Sequence, residues 1–267
     1  MIRFGVLAAA LALTALPLLA HAQDDDKAPG RPTTFACTLK PTDEGFVGDC
    51  GLIFPDTAAP VLKLRPAADI DGVWREDRLA QRVYKGSFVE GIQASTLALE
   101  IYPGGWGVLR TAYGWFPVTG FATTSSDLDF TLDSKHEVAP GPLDERILMR
   151  AIQISRQGAD WNRKDNRRCE DTTHWSIYCA MDQATAEVTG AHDHRRPAME
   201  VVRLLVEART KHKAYAHRLM DYNNDPATTL TDVQSLFEDA LQRVRDDDWL
   251  SEHDFVRPDG QGGFTPG

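Results

Sequence analysis

The sequence predicts an α+β protein: an N-terminal antiparallel β meander, folded as a small barrel or sandwich, followed by a C-terminal four-helix bundle. Three observations predict it. Between residues 34 and 133, apolar side chains alternate at period two and are broken by Gly, Pro and Ser turns. Between residues 142 and 246 they recur at helical spacing, with capping residues at the ends of each run. No internal repeat relates the two halves.

The elements follow in order. Arg3, the apolar run from Gly5 to Ala20 and the small-x-small site Ala20-His21-Ala22 read as a secretory signal peptide over residues 1–22. Residues 23–33 are charged and broken by Pro and Gly, which predicts a disordered leader. A β domain over 34–135 follows. Cys37 and Cys50 flank a turn at Pro41–Gly45. Leu97, Leu99 and Ile101 alternate with Ala98, Glu100 and Tyr102. Pro103-Gly104-Gly105 then turns the chain into Trp106, Val108 and Arg110. Trp115 to Phe121 and Leu128, Phe130, Leu132 supply further strands, for seven or eight in all. Gly72-Val73-Trp74, ahead of the meander, resembles the Gly-x-Trp start of lipocalins.

Pro140-Gly141-Pro142 leads into a helical domain over 142–247. Pro142 suits a first helical position, and Leu143, Ile147, Leu148, Ala151 and Ile152 share a face that ends near Gly158. A second helix carries Ile177, Met181, Ala184 and Val188 and stops at Gly190. A third starts at Pro197 and is apolar on several sides, as expected of a central helix. The fourth has the stripe Val233, Leu236, Phe237, Ala240, Leu241 and Val244, with Thr231 and Gln234 read as its capping box. The acidic, Gly-rich stretch 248–267 is expected to be a flexible tail.

Composition limits the function classes. The net charge is −10, and loss of Arg3 with the leader takes it to about −11. Such a chain repels nucleic acid and anionic lipid, so neither is an expected partner. Without the leader no apolar run is long enough to span a membrane, and a periplasmic or secreted location follows. In that compartment the four cysteines are expected to oxidise, paired locally as Cys37–Cys50 and Cys169–Cys179.

Several loops carry residues with chemical capacity. Asp221-Tyr-Asn223-Asn-Asp225 matches the start of a calcium loop whose twelfth position is Asp232, although Pro226 stands where glycine is needed. His192-Asp193-His194 can meet a zinc-type metal, completed by His217 or Asp221, and Asp225 can orient a water. Arg195 and Arg196, just ahead of a helix, suit a phosphate or carboxylate. The polar loop Trp161 to Arg168, pinned by a Cys169–Cys179 bridge, reads as a recognition loop. In the β half, Trp106, Tyr113, Trp115, Phe116 and Phe121 gather around Arg110, a grouping able to bind a sugar or apolar ligand.

Trp161-Asn162, Cys179-Ala180, Tyr222-Asn223-Asn224-Asp225 and the Thr229-x3-Val233 helix are similar, in that order, to an uncharacterised bacterial helical domain family. The resemblance spans about residues 145–245. It implies a helical module and no activity. A Tyr222-Asn223 pair stands where that family carries Trp-Asn.

No nucleophile elbow, zinc-protease helix or phosphate loop is present, and no catalytic residue is assigned. The sequence therefore reads as an exported, disulfide-containing, non-enzymatic binding or interaction protein. It needs no cofactor, and its partner is an envelope component, a protein or a small ligand. The alternatives are a metal-dependent hydrolase at the histidine loops and a structural calcium loop at 221–232.

Overall fold

The computed structural model describes residues 34–50, 61–67, 74–75, 78–79, 82–90, 93–111, 114–124, 127–133, 135–157, 160–169, 174–247, 255–259, 261 and 263–266. Residues 1–33, read above as a signal peptide and a leader, lie outside them.

The β half is a closed barrel. Its wall consists of β1 (Thr34–Thr42), β2 (Gly45–Asp49), β3 (Val61–Pro66), β6 (Arg82–Glu90), β7 (Gln93–Ile101), β8 (Gly107–Arg110), β9 (Trp115–Thr123) and β10 (Leu128–Asp133). Each strand pairs antiparallel with the next in sequence, and β10 closes on β1 from Thr34↔Asp133 to Leu39↔Leu128. Closure removes the exposed edges that an open meander would leave. Cys37 on β1 and Cys50 just after β2 are bridged, with Cα atoms 4.5 Å apart, inside the barrel core.

The inward residues fill that barrel. Leu39, Leu62, Leu64, Leu99, Leu109, Val118, Leu128 and Leu132 all have 0% of their surface exposed. They pack with Tyr84, Leu97, Ile101, Phe116 and Phe130 into one buried apolar cluster. The lipocalin resemblance fails at its motif. Trp74 lies in β4 (Trp74–Arg75), which pairs with β5 (Arg78–Leu79) in a small hairpin outside the barrel wall. Gly72 and Val73 fall outside the described residues.

One stretch of the barrel is buried on its outer face too. Val83, Tyr102, Trp106, Val108 and Trp115 form a second cluster with Val138. A three-stranded sheet lies against it: β11 (Glu137–Val138), β12 (Phe255–Pro258) and β13 (Phe264–Pro266). Phe264 meets Trp106 edge-on at 5.8 Å, and Tyr102 stacks on Trp106 at 4.3 Å. Two strands thus lie in the segment expected to be a flexible tail. The Gly and Asp content of that segment obscures three apolar residues, Phe255, Val256 and Phe264, which meet Glu137, Val138 and Trp106, more than a hundred residues away.

Among the described residues the second half holds five helices, not four: α1 (Pro142–Ser155), α2 (Ile177–Thr189), α3 (Pro197–Arg209), α4 (Arg218–Asn224) and α5 (Leu230–Asp246). The added element, α4, is short. Leu219 and Tyr222 are its buried apolar residues, and it ends in Asn223-Asn224. So brief a helix, ending in residues that favour caps and turns, shows little periodicity.

Local signals set the other boundaries. At α1, Asp144 Oδ2 accepts the amide of Gly141 at 2.9 Å. At α2, Ser176 accepts from the Cys179 amide, and Gly190 closes the helix in the left-handed region at φ +79°. At α5 the capping box is Thr229 with Asp232, two residues earlier than the expected Thr231 and Gln234. Asp232 is short enough to reach back to the Thr229 amide, so the helix starts at Leu230. A single core joins α1 to α5 through Ile147, Met181, Val202, Leu219, Leu236 and Phe237.

Candidate functional site

The loop from residue 160 to 169, between α1 and α2, has almost no regular structure, yet nearly all of it is tied down. Its first anchor is aromatic. Trp161 pairs with Trp175 through a backbone bridge, and their rings stack with centroids 6.5 Å apart. The second is Asn223 of α4, fully buried. Its Oδ1 accepts from Trp161 Nε1 at 2.9 Å and from the Ile177 amide at 3.1 Å. Its Nδ2 donates to the Asn162 carbonyl at 2.7 Å and to Asn224 Oδ1 at 3.1 Å.

Asn224 repeats the pattern, accepting the Asp165 amide at 2.7 Å and donating to the Asp165 carbonyl at 2.8 Å. Arg163 Nη2 reaches back to the carbonyls of Asp225, Pro226 and Thr228 at 3.1–3.2 Å, while its guanidinium lies over Trp161. The Cys169–Cys179 bridge, with Cα atoms 5.3 Å apart, fixes the far end to α2.

Within the loop, side chains fold back on their own backbone. Asn162 caps the Lys164 amide, Asp165 caps Arg167, and Asn166 caps Arg168. These successive Asx turns let Arg167 hold φ +61°, a left-handed conformation that is uncommon for a long side chain. Asp165 is buried, and its Oδ2 has no hydrogen-bond partner. Lys164, Asn166, Arg167 and Arg168 point outward and are exposed.

Beside the loop lies a polar strip on α2 and the turn before α3. Burial pushes the half-buried Tyr178 hydroxyl above its usual pKa, and the Asp182 charge adds to the rise. Arg167 and Asp165 both act on Tyr178, which places the loop next to it. His192 Nδ1 is 2.8 Å from Asp182 Oδ2. His194 is pushed below its usual pKa by burial and by Arg195 and Arg203. Burial pushes the Glu200 carboxyl up, but the guanidiniums of Arg203 and Arg218 outweigh it and hold the carboxyl below the ordinary range.

The predicted metal residues have other partners. Among the described residues, no three His, Cys, Asp or Glu side chains gather closely enough to hold a metal ion. Of the calcium-loop residues, Asp221 and Asn223 lie on α4, Asp225 is its C-cap and Asp232 is in the first turn of α5. Asp221 Oδ2 caps the His217 amide at 2.8 Å, and Asn223 is the buried clamp described above. Asp225 binds Lys213 and, at 2.7 Å, the Tyr215 hydroxyl. Those hydrogen bonds, with one from the Ala227 amide, hold the Asp225 carboxyl well below the usual range. A helix in place of an open loop turns the side chains of positions one, three and five in different directions. In this geometry the side chains of Asp221 and Asp225 and both ends of the Asn223 amide are engaged by protein groups.

The β-domain candidates meet the helical half. Trp115 is fully buried, and its Nε1 donates to Asp193 Oδ2 at 3.1 Å. The guanidiniums of Arg110 and Arg196 lie 5.2 and 4.9 Å from its ring centroid. Arg110 Nε is 2.6 Å from Oε1 of the buried Glu100, whose Oε2 accepts from the Tyr102 hydroxyl at 2.6 Å. Arg196 Nε is 3.0 Å from Asp144 Oδ1. Both are close ion pairs whose atoms are not aligned as hydrogen bonds. Arg195 stays on the polar strip, its amide bound by Asp193. Tyr113 lies outside the described residues.

Glu100, Asp144 and Asn223 form the main polar joints, and the sequence reading did not single out the first two. Asp144 was legible as an acid in the first turn of α1. Glu100 was legible only as a charge in an otherwise apolar strand.

No curated protein and no solved structure matches the chain. Residues 141–243, from the N-cap of α1 into α5, match a family of unknown function, DUF6197.

Proposed function

We propose that this is an exported, disulfide-stapled interaction protein whose recognition element is the loop of residues 160–169. One observation carries the reading: a ten-residue polar loop is clamped by Asn223, Asn224, Arg163 and the Cys169–Cys179 bridge, while Lys164, Asn166, Arg167 and Arg168 stay exposed at its tip. Holding irregular backbone in one conformation costs about 1–2 kcal/mol per residue. A loop ordered before binding avoids that cost when its partner arrives. The two disulfides and the apolar leader support export, and the packed barrel serves as the platform.

The test is site-specific photo-crosslinking in cells making the full chain with its own leader. A photoreactive side chain replaces Asn166, and a control replaces the exposed Met149 on α1. The expected result is one discrete adduct from position 166 and none from 149. Adducts of equal intensity from both positions, or none from 166, sink the reading.

A further inference from the structure

Resting on that reading, we infer that the partner is an acidic polypeptide segment, gripped by Lys164, Arg167 and Arg168. The inference begins with an imbalance of charge. In this chain of net charge −10, several arginines sit against carboxylates: Arg150 with Glu187, Arg196 with Asp144, Arg203 with Glu200, Arg209 with Asp239 and Arg245 with Glu145. The loop tip gathers three cations within five residues. Lys164, Arg167 and Arg168 are exposed, and among the described residues none has an ion pair or a side-chain hydrogen bond. The loop's own acid, Asp165, is buried and directs Oδ1 to the Arg167 amide, and it makes no ion pair with the three cationic side chains. Glu170 and Asp171 follow Cys169 in sequence and lie outside the described residues.

Fixed cations on a clamped backbone select carboxylates. Arginine offers a planar fork that matches a carboxylate at two points, and the Asx turns hold the backbone from which Arg167 and Arg168 project. Scale decides which kind of anion fits. Charges beyond about 8 Å are largely screened at physiological salt, so a short acidic segment senses the tip alone. Nucleic acid or an anionic membrane extends over the whole face of the molecule and meets its net negative charge.

The test uses the full mature chain and a fluorescently labelled hexaglutamate peptide, read by anisotropy. We expect saturable binding in about 50 mM salt that weakens roughly tenfold by about 300 mM. Lys164→Glu/Arg167→Glu/Arg168→Glu should weaken it at least about tenfold. The milder Lys164→Gln/Arg168→Gln pair, which touches only exposed side chains, guards against misfolding and should weaken it by a smaller factor. Unchanged affinity in both variants overturns the inference. So does tighter binding of phosphatidylglycerol vesicles or of a single-stranded oligonucleotide through the same residues. The two readings fail separately. A position-166 crosslink without peptide binding removes the acidic class and keeps the recognition loop, whereas loss of the crosslink removes the loop itself.

Discussion

Asn223 is uncharged, fully buried and bonded through both ends of its amide, so it shows how much one side chain can hold. Replacing it with alanine leaves Trp161 Nε1, the Ile177 amide and the Asn162 carbonyl short of a partner. At about 1–3 kcal/mol for each buried group left unpaired, Asn223→Ala should cost roughly 3–5 kcal/mol. Urea unfolding followed by tryptophan fluorescence measures it, and a loss under about 1 kcal/mol would mean that water replaces the amide. His194 gives a pH prediction at the same scale. Its folded pKa lies below the usual 6.5, chiefly through burial. The unfolded chain therefore binds the proton more readily. Stability from this site is complete above pH about 6.5 and is lost as pH falls through the lower folded value. Melting temperature measured from pH 8 to 5 should fall, and His194→Gln should flatten that part of the curve.

At the scale of elements, each helix start depends on a few short polar side chains. Thr229 accepts the Asp232 amide, and Asp232 accepts the Thr229 amide and hydroxyl. Thr229→Ala should cost about 1 kcal/mol, read as a shift of the urea midpoint with an unchanged slope. The Cys169–Cys179 bridge ties the loop to α2. Cys169→Ser/Cys179→Ser should lower stability by roughly 2–4 kcal/mol. If the loop is the recognition element, the same change should also lower the position-166 crosslink yield in protein that is still folded. Full crosslinking with the bridge absent would show that the asparagine clamps suffice.

At the scale of the molecule, the barrel and the helices meet through a line of charges. Glu100, Arg110, Asp193, Arg196 and Asp144 run from the barrel wall to the N-termini of α1 and α3, with Trp115 between the two arginines. Removing one member of a buried pair leaves its partner's charge uncompensated. Arg196→Met should therefore cost about 3–5 kcal/mol, moderated because Asp144 keeps the Gly141 and Ala198 amides. Asp193→Ala removes the acceptor of Trp115 Nε1 and the anion facing Arg110. Calorimetry should show one transition for the native chain and two for this variant, one for each half. A single transition in both would show that the apolar contacts alone couple the halves.

Much of this was legible in the chain. Period-two alternation, helical stripes, Pro142 and Pro197 at helix starts and Gly190 at a helix end are local signals. They act over a few residues, and they determined the α+β class, the strand-rich and helix-rich halves and most helix boundaries. The local cysteine pairings were readable from spacing, and the polar loop at 161–168 from its composition. What remained depended on residues far apart in sequence. Closure of β10 on β1 joins residues about a hundred positions apart. Phe264 became a strand residue only because Trp106 offered it a surface. Asn223 and Asp225 carry ligand-type side chains, and the calcium and zinc patterns count residues without knowing direction. Tertiary structure turned one toward the 160–169 loop and the other toward Tyr215, because a buried or clustered polar group takes the partner that packing brings within hydrogen-bond distance.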